Sequence, residues 1–390
     1  MLSSRIPYPL TAGFRIRIYN EAKYFKLHGH SVDLLYIGSS QEGNNYESQL
    51  IKVFDNVFRI DSNKLEIIKN VFLYFLFTNK PLQVALYKSK QLQKKLDEIY
   101  SHYDLIIGNH IRTAEYLRDK EKSKIVLDLH DAISYNYSNA KEIEHGFKKA
   151  IYKIEYPRVL KYELEALSLF PRTVLVSDVD KKWLEENGGD VSSVSVISVA
   201  VRDDIKNKKS NYEEDENAIC FLGKMSYQPN EDAVLWFAQS VFPELVKKYP
   251  DLRFYVIGTE PPEEVKKLEK NKNIIVTGFV DNPYELLVKA KATVVPIRNG
   301  AGIQNKVLES MMVGTPVVAS SIAANGINAI NNKQILIADN INEYVDKISQ
   351  VLESVECRER IGKAGQRYIE ENYTWDVLWN KWESFTREVD

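Results

Sequence analysis

The sequence predicts an α/β fold with two doubly wound domains, and three observations support this prediction. Short apolar runs alternate with amphipathic helical stretches from one end of the chain to the other, which is typical of parallel sheets covered by helices. The 390 residues exceed what one compact core usually holds, so two domains are the default. A charged segment without apolar periodicity, residues 202–217, separates the two halves.

The apolar runs that we interpret as strands fall into two sets, one on each side of this segment. In the first half they are residues 31–37, 105–108, 125–129, 173–176 and 194–199. In the second half they are residues 218–222, 253–257, 274–277, 293–296, 316–319 and 334–337. We therefore place one domain at residues 1–201, a linker at 202–217 and a second domain at 218–371.

Both ends of the chain have distinctive features. Trp375, Trp379 and Trp382 recur at helical spacing, which predicts that residues 372–390 form a C-terminal helix packing at the domain junction. At the start, only residues 2–4 precede the segment RIPYP, where a doubly wound domain usually has a full central strand. This predicts a shortened first strand, in a chain that begins late at an internal methionine.

Composition and charge exclude several classes of function. A formal net charge of −2 gives no reason to expect nucleic acid as a partner. Cys220 and Cys357 are too few for a disulfide framework or a four-ligand zinc site, which fits a reducing cytosol. The N-terminus shows no signal-peptide pattern, and the most apolar run, residues 71–77, is about a third of the length that crosses a bilayer.

The aromatic segment at residues 64–95, which is flanked by lysines, has two interpretations. It is a candidate for contact with a membrane surface, or it packs into the protein core. Of the two, core packing is the interpretation that we favour.

The most informative segment, residues 294–319, indicates a buried strand, a glycine-containing loop, a helix and a second strand. Gly300 and Gly302 let the backbone approach a ligand closely, and the helix is predicted to begin at about Ile303. The first amides of a helix, together with the positive end of its dipole, form an anion site. Lys306 and Glu309 share one face of this helix because they lie three residues apart.

Such a helix suits a sugar nucleotide, because the amides hold the diphosphate while Glu309 accepts hydrogen bonds from ribose hydroxyl groups. The alternative is an ordinary strand–helix turn with a solvated Lys306–Glu309 pair, since glycine-rich loops are common.

Further motifs follow in an order and spacing that agree with the first interpretation. In the second half they are residues 221–225 (FLGKM), 229–230 (PN), 256–258 (VIG), 276–279 (VTGF) and 314–318 (GTPVV). In the first half they are residues 5–9 (RIPYP), 12–13 (AG), 27–32 (LHGHSV) and 129–131 (LHD). Through these residues nearly the whole chain resembles the GT-B glycosyltransferases of the GT4-like group (glycosyl transferases group 1), and more narrowly the bacterial sugar transferases of polysaccharide assembly. The resemblance implies two Rossmann-like domains facing a cleft, with the C-terminal helix crossing back over the junction.

The resemblance implies roles for basic residues on the donor side. Lys224 matches the residue that family members place against the pyrophosphate, where a cation neutralises the leaving group without a metal. A second basic residue often follows about six positions later, but this chain has Asn230 there. Charge compensation then falls to Lys306 or Arg298.

Two glycines match the loops that line the ligand sites of the family. Gly13 matches the glycine loop of the first domain, where close approach of donor or acceptor is possible; the alternative is a plain turn glycine. Arg15 and Arg17 follow it and reach a donor phosphate or an acidic acceptor, or else they are solvated helix charges. Gly278 and Phe279 match the loop bordering the nucleotide base, where Phe279 stacks on the base or packs in the core.

Histidines after the predicted strands of the first domain are candidates for catalysis. His130 follows residues 125–129, where the catalytic groups of open α/β sheets collect, and the resemblance makes it a contact to the donor sugar; the alternative is a structural histidine bonded to backbone. Asp131 orients His130 or approaches the acceptor hydroxyl group. His110 is a weaker candidate of the same kind, and His28 and His30 are assigned to a helix–strand turn.

One position departs from the family pattern. Retaining members of the group commonly carry a glutamate eight residues before the one matched by Glu309, and this chain has Ala301 there. Alanine cannot contact sugar hydroxyl groups, which leaves the identity of the sugar open and weakens the case for retention. Some related polysaccharide transferases also have a small residue at this place.

Other enzyme classes fit the sequence less well. A metal-dependent GT-A transferase needs an Asp-x-Asp motif, and the chain has Asp178-Val179-Asp180, but Ser177 before it predicts a helix cap. A dehydrogenase is disfavoured because no Gly-x-Gly-x-x-Gly opens the first βα turn. An epimerase or hydrolase would need acid/base carboxylates that we cannot place.

The sequence therefore predicts a metal-independent and retaining glycosyltransferase that uses a UDP- or GDP-linked sugar and no other cofactor. Its expected partners are the nucleotide sugar, a glycan or lipid-linked acceptor and a membrane surface, at the inner face of the cytoplasmic membrane. The alternative from another class is a catalytically degenerate binding subunit of a polysaccharide-assembly complex. Ala301 and the short N-terminus favour that alternative, whereas Lys224, His130, Lys306 and Glu309 together argue against it.

Overall fold

A computed structural model of the chain describes residues 1–10, 12–143, 145–210, 216–299 and 302–387. Gly300 and Ala301 lie outside these residues, as does part of the segment expected to be a linker. The chain divides into two compact units, one formed by Met1–Val199 with Trp379–Asp390 and the other by Ala200–Leu378.

The first unit is built around a sheet of seven parallel strands. The strands are β1 (Leu2–Ser3), β2 (Leu34–Gly38), β3 (Val57–Asp61), β4 (Ile106–Asn109), β5 (Ile125–His130), β6 (Thr173–Leu175) and β7 (Val194–Val196). Their order is β3-β2-β1-β4-β5-β6-β7, so the chain reverses its direction of travel across the sheet between β1 and β4.

Nine helices cover this sheet in the described residues of the first half. They are α1 (Gly13–Leu27), α2 (Ser40–Leu50), α3 (Lys64–Phe77), α4 (Leu82–Leu86), α5 (Lys90–Ile99), α6 (Ala114–Leu117), α7 (Ile133–Ile143), α8 (Gly146–Leu169) and α9 (Asp178–Glu186). Short 3-10 turns occur at Tyr100–His102, Ile111–Thr113 and Lys122–Lys124.

The second unit repeats the plan with six parallel strands. They are β8 (Glu216–Leu222), β9 (Arg253–Ile257), β10 (Ile274–Gly278), β11 (Ala290–Val295), β12 (Val317–Ala319) and β13 (Leu336–Ile337). In the order β10-β9-β8-β11-β12-β13, the reversal lies between β8 and β11. Strand side chains such as those of Phe221, Phe254 and Val294 are fully buried, which explains why the strands are continuous apolar runs.

The helices after residue 216 complete this unit and the chain. They are α10 (Gln228–Trp236), α11 (Phe242–Lys248), α12 (Glu263–Lys266), α13 (Tyr284–Leu287), α14 (Asn305–Met312), α15 (Ser321–Ala324), α16 (Ile341–Glu353), α17 (Val355–Asn372) and α18 (Trp375–Arg387). A π-helical turn, Phe237–Val241, joins α10 to α11, and 3-10 turns occur at Asp203–Ile205 and Lys267–Lys270.

The α/β class with two doubly wound units is confirmed, while several strand boundaries differ from prediction. The sequence missed β3, an edge strand whose Arg59 and Asp61 interrupt the apolar pattern. The predicted strand at residues 31–37 begins only at Leu34, and the one at 293–296 already begins at Ala290. β1 has two residues, and Leu2 still pairs with both neighbouring strands, through Leu35 and Gly108.

The last helix, α18, belongs to the first unit from Trp379 onward. The Trp379 ring stacks on His28 with 4.0 Å between ring centroids, and it meets the edge of Phe25 at 5.0 Å. Trp382 is also packed against Phe25, at 5.9 Å. Both tryptophans are buried, and His28 caps the C-terminus of α1 at the helix–strand turn to which the sequence assigned it.

The favoured interpretation of residues 64–95 as core is confirmed for Val84, Ala85 and Leu92, which are buried, but helix α3 contradicts it. Of the apolar residues of α3 only Tyr74 is buried, and its hydroxyl group accepts from Lys88 Nζ, while Val71 is partly buried against the core. The exposed ones are Leu65, Ile68, Phe72, Leu73, Phe75, Leu76 and Phe77. None of the helices in the described part of the chain is both long enough and apolar enough to cross a bilayer.

Candidate functional site

The predicted donor residues of the second unit lie at the carboxyl ends of β8 and β11, on either side of the point where the strand order reverses. Lys224 lies two residues after β8, and the glycine loop follows β11. Open α/β sheets bind their ligands at this place, since the loops diverge there and leave a crevice.

The helix after the glycine loop, α14, begins at Asn305 and not at Ile303 as predicted. Gln304 has extended backbone angles and its carbonyl accepts from the Val307 amide at 2.9 Å, so it is the N-cap. Gly302 has φ of 78°, a conformation that favours glycine. Residues 302–304 are therefore loop, and any anion bound at this helix meets the amides from Asn305 onward.

Lys306 is not the solvated charge of the alternative interpretation. Its Nζ donates to Asn230 Oδ1 at 3.0 Å and to Gln304 Oε1 at 2.9 Å. Asn230 is buried, and its Nδ2 donates to the Lys224 carbonyl at 2.9 Å. Burial lowers the pKa of Lys306 to about 8, and the charge of Glu309 opposes this shift. Asn230 thus joins the segment after β8 to α14, in the place where the family often has a second basic residue.

Glu309 is also held in a partly buried setting. Burial raises the pKa of its carboxyl group to about 7, against the opposing effects of Arg202, a hydrogen bond from Tyr284 and Lys306. The sequence analysis missed Tyr284 and Arg202. Both lie far from Glu309 in the sequence, and no motif marks them.

The remaining donor-side candidates lie at the surface. Lys224 forms an exposed ion pair with Glu260 at 2.9 Å. Arg298 lies over the Trp236 ring, 5.3 Å from its centroid, and not on Lys306 or Asn230. Gly278 ends β10 with φ of 65°, and Phe279 is 72% exposed, which excludes core packing for that ring.

In the first unit, the carboxyl ends of β4 and β5 bring two histidines together. The rings of His110 and His130 meet edge to face, with centroids 4.0 Å apart. His130 Nε2 lies 3.3 Å from Asn109 Oδ1 and 3.5 Å from Asp128 Oδ2. Both histidines have left-handed backbone angles, with φ of 68° and 65°. Burial and neighbouring positive charges hold the pKa of each well below its usual value, so both rings are neutral at pH 7.

The His130 ring is contacted by Asn109 and Asp128. Burial and the negative charge of Asp180 raise the pKa of Asp131 to about 7. The neighbouring carboxylate of Asp128 is fully buried and receives Arg17 Nε at 2.7 Å.

Arg17 is therefore a structural residue. This corrects both interpretations from the sequence, in which Arg17 was a ligand of a phosphate or acidic acceptor or else a solvated charge. It pairs with Asp128 and Glu21 and donates to the carbonyl groups of Ile197 and Ser198. Gly13 is the first residue of α1 and is exposed after its N-cap, Ala12.

The Asp178-Val179-Asp180 motif is part of a helix cap, as predicted. Ser177 is the N-cap of α9 and accepts from the Asp180 amide at 3.1 Å. Asp180 Oδ1 accepts from the Ala132 amide at 2.9 Å, so this carboxylate also fixes the chain after His130. Within the described residues, no group of three or more histidine, cysteine or acidic side chains is placed to hold a metal ion.

The chain is similar to several known proteins. Residues 216–354 match the family model described as Glycosyl transferases group 1. An uncharacterised 44.6 kDa protein in the cps region of Klebsiella pneumoniae is 23% identical over 96% of this chain and 95% of its own length. A poly(ribitol-phosphate) alpha-N-acetylglucosaminyltransferase of Staphylococcus aureus (strain COL) is 24% identical over 52% of this chain and 45% of its own length.

Solved structures share the fold over nearly the full chain. TarM has a TM-score of 0.70 at 14% identity and covers 99% of this chain and 98% of its own. Anabaena Alr3699/HepE in complex with UDP and glucose has a TM-score of 0.68 at 13% identity, with the same coverage. Residues 216–354 thus match the family of group 1 glycosyl transferases, and the chain as a whole has the two-unit α/β fold of these solved structures.

Proposed function

We propose that the protein transfers a sugar from a nucleotide-diphosphate donor to a hydroxyl group of a glycan or lipid-linked acceptor. The observation that carries this proposal is the pair Lys306 and Glu309 on α14, both partly buried at the point where the strand order of the second unit reverses. Burying a cation or a carboxylate is unfavourable unless the charged group is paired or hydrogen-bonded. A diphosphate and a ribose would use both.

In this proposal each group of the second unit has a separate role. Lys306 and the more exposed Lys224 neutralise the diphosphate, the amides at the start of α14 hold its oxygens, and Gly302 leaves room for them. Glu309 accepts from the ribose hydroxyl groups, and Phe279 stacks on the base. A uridine nucleotide is the first candidate, because Alr3699/HepE, which shares the fold, was solved with UDP.

In the first unit, His130 and Asp131 serve the transferred sugar and the acceptor. A neutral His130 offers one N–H donor and one lone pair, so it contacts sugar hydroxyl groups without adding charge. Asp131, whose pKa burial raises to about 7, forms a hydrogen bond with the acceptor hydroxyl group and orients it.

We propose that transfer retains the anomeric configuration and needs no metal. The bond between the anomeric carbon and the phosphate oxygen breaks as the acceptor oxygen attacks from the same face. The leaving phosphate takes the acceptor's proton, and lysine charge stabilises the phosphate. A product with inverted configuration would refute this mechanism, and so would activity that EDTA abolishes.

We further propose a role in polysaccharide biosynthesis at the cytoplasmic face of a membrane. The full-length relative in the cps region of K. pneumoniae supports the pathway. The exposed apolar residues of α3 support the location, because such a surface on a water-soluble domain usually marks a contact site.

Helix α8 extends this apolar surface. Phe147, Ile151 and Ile154 are exposed and share one helix face with Arg158, which contacts the Phe75 ring and carbonyl of α3. Exposed lysines border the two helices, at Lys64, Lys69, Lys148 and Lys153. Aromatic and aliphatic side chains rimmed by lysine fit the interface of an anionic bilayer.

Vesicle binding tests this surface. The protein should sediment with vesicles that contain phosphatidylglycerol and not with vesicles of phosphatidylcholine alone. Phe72→Ser with Leu76→Ser should abolish sedimentation, whereas Ile341→Ser with Val355→Ser, at two exposed apolar positions elsewhere, should leave it unchanged. Equal sedimentation of both double variants would refute the proposal that this surface binds the membrane.

The donor site is tested by calorimetry and thermal shift with UDP, GDP, ADP, dTDP and CMP in the presence of EDTA. One nucleotide diphosphate should bind, and Lys306→Met should weaken it at least about tenfold, since a hydrogen bond to a charged group is worth about 1.5–3 kcal/mol. Lys347→Met is the matched control, because Lys347 also donates to an asparagine, Asn332, but on an exposed helix face. Binding of none of the nucleotides by folded protein would favour the degenerate binding subunit.

A further inference from the structure

A cluster of two arginines and a neutral histidine in the first unit is left unused by the proposed transfer. Arg5 follows β1, and His110 and Arg112 follow β4, so the three flank the point where this sheet reverses its strand order. Their side chains meet around Tyr87. Arg5 Nε donates to Tyr87 Oη at 2.6 Å, and the Arg112 guanidinium carbon lies 4.8 Å from the Tyr87 ring centroid.

The cluster lacks compensating negative charge. In the described part of the chain neither Arg5 nor Arg112 forms an ion pair, and their hydrogen bonds go to neutral groups, Tyr87 and Gln83. Asp128, whose negative charge acts on His110, is already paired with Arg17. The two arginines disfavour each other's charge, which with burial lowers the pKa of Arg112. This repulsion is unfavourable for the protein alone.

Several polar atoms in the cluster have no partner although they are buried. They are Arg112 Nη1, Gln83 Nε2 and His110 Nδ1. The first two are donors whatever the pH, and Gln83 as a whole is 7% exposed. Buried hydrogen-bond donors almost always have an acceptor in folded proteins. A group of buried donors without a protein acceptor therefore indicates that a ligand supplies one. An oxyanion supplies several lone pairs and the missing charge at once.

We infer that Arg5, Arg112 and Gln83 form a subsite for an anionic group on the acceptor, a phosphate or a carboxylate. The inference rests on the proposed function, because it assigns the acceptor to the first unit. His130 is the last residue of the adjacent strand β5 and its ring touches His110, so an acceptor anchored here has its hydroxyl groups next to the proposed catalytic histidine. The acceptor is thus a charged glycan or a phosphate-linked carrier and not a neutral sugar.

The test is calorimetric titration of the full chain, first saturated with UDP, with inorganic pyrophosphate and separately with glucuronate. One anion per chain should bind. Arg112→Gln and Arg5→Gln should each weaken binding at least about tenfold, because each removes a charge-assisted contact. Arg59→Gln is the matched control, since Arg59 lies on the same sheet but is already paired with Asp61. The preferred anion assigns the acceptor's charged group as phosphate or carboxylate.

Three results would overturn the inference. They are no anion binding by UDP-saturated protein, equal weakening by Arg59→Gln, and pyrophosphate binding that disappears when UDP is bound, which would assign the arginines to the donor. If UDP itself fails to bind, the donor proposal fails, and titration without UDP still decides whether this anion site exists. Circular dichroism of each variant confirms folding, and Arg112→Lys, which keeps the charge, should restore part of the affinity.

Discussion

Replacing Glu309 by glutamine should stabilise the protein above pH 7 while it weakens nucleotide binding. Burial raises the pKa of Glu309 from 4.5 to about 7, so the folded state holds this proton more tightly than the unfolded chain does. The associated stability is fully present below pH 4.5 and is lost as the pH rises through 7. Glutamine has no proton to lose and avoids that loss.

The magnitude follows from the two pKa values. Each pH unit between 4.5 and 7 corresponds to about 1.4 kcal/mol, which gives about 3.5 kcal/mol as an upper limit at pH 8. For a unit of this size, about 1 kcal/mol shifts the melting temperature by roughly 2–4 °C. Glu309→Gln should therefore melt several degrees above the wild type at pH 8 and close to it at pH 5.

The assay is a pair of melting curves at each pH from 5 to 8, reported as variant minus wild type so that other titrating groups cancel. Glu285→Gln is the control, because Glu285 is an exposed residue of the same unit whose carboxylate accepts from Asn282; this variant should show no pH-dependent difference. Calorimetry at pH 8 should show UDP binding weakened at least about tenfold in Glu309→Gln. A difference in melting temperature that is constant from pH 5 to 8 would refute the burial argument.

Three other substitutions test separate parts of the structure. Arg17→Met leaves the buried Asp128 carboxylate unpaired and should lower the free energy of unfolding by about 3–5 kcal/mol in denaturant titration. The double variant Arg17→Met with Asp128→Leu should recover much of this loss, and equal losses in the two variants would exclude the ion pair. Trp382→Ala should cost about 3–5 kcal/mol, because this 2% exposed ring leaves a cavity beside Phe25, and a loss below about 1 kcal/mol would contradict that packing. Phe279→Ala should leave the melting temperature unchanged but weaken UDP by roughly 1–3 kcal/mol in calorimetry, and unchanged affinity would exclude stacking.

The sequence predicted the elements of the second unit well because its strands are buried on both faces. Such strands are continuous apolar runs, and residues 253–257 were placed without error. The edge strand β3 escaped detection because it is only partly buried, so Arg59 and Asp61 are tolerated within it. Helix α14 begins two residues after the predicted start, since the N-cap depends on the backbone angles of Gln304, which composition does not determine.

The environment of the candidate residues was less predictable than their positions. Lys306 and Glu309 were found from their spacing on one helix, but their pKa values are altered by burial in the fold, and Asn230 and Tyr284, which contact them, approach from other elements. Arg17 could not be separated from a solvated arginine by sequence, because its partner Asp128 lies 111 residues away. The same holds for α3, whose apolar face would look identical in the sequence of a buried helix.

The position of Trp379 and Trp382 has a consequence for how the protein is made. The ribosome finishes the seven strands of the first unit long before it synthesises the helix whose tryptophans pack on Phe25. During that interval α1 exposes an aromatic surface that the nascent chain cannot yet cover. The first unit is therefore complete only after Trp379 and Trp382 have been synthesised, and chaperone binding or aggregation should increase in chains that are stalled before them.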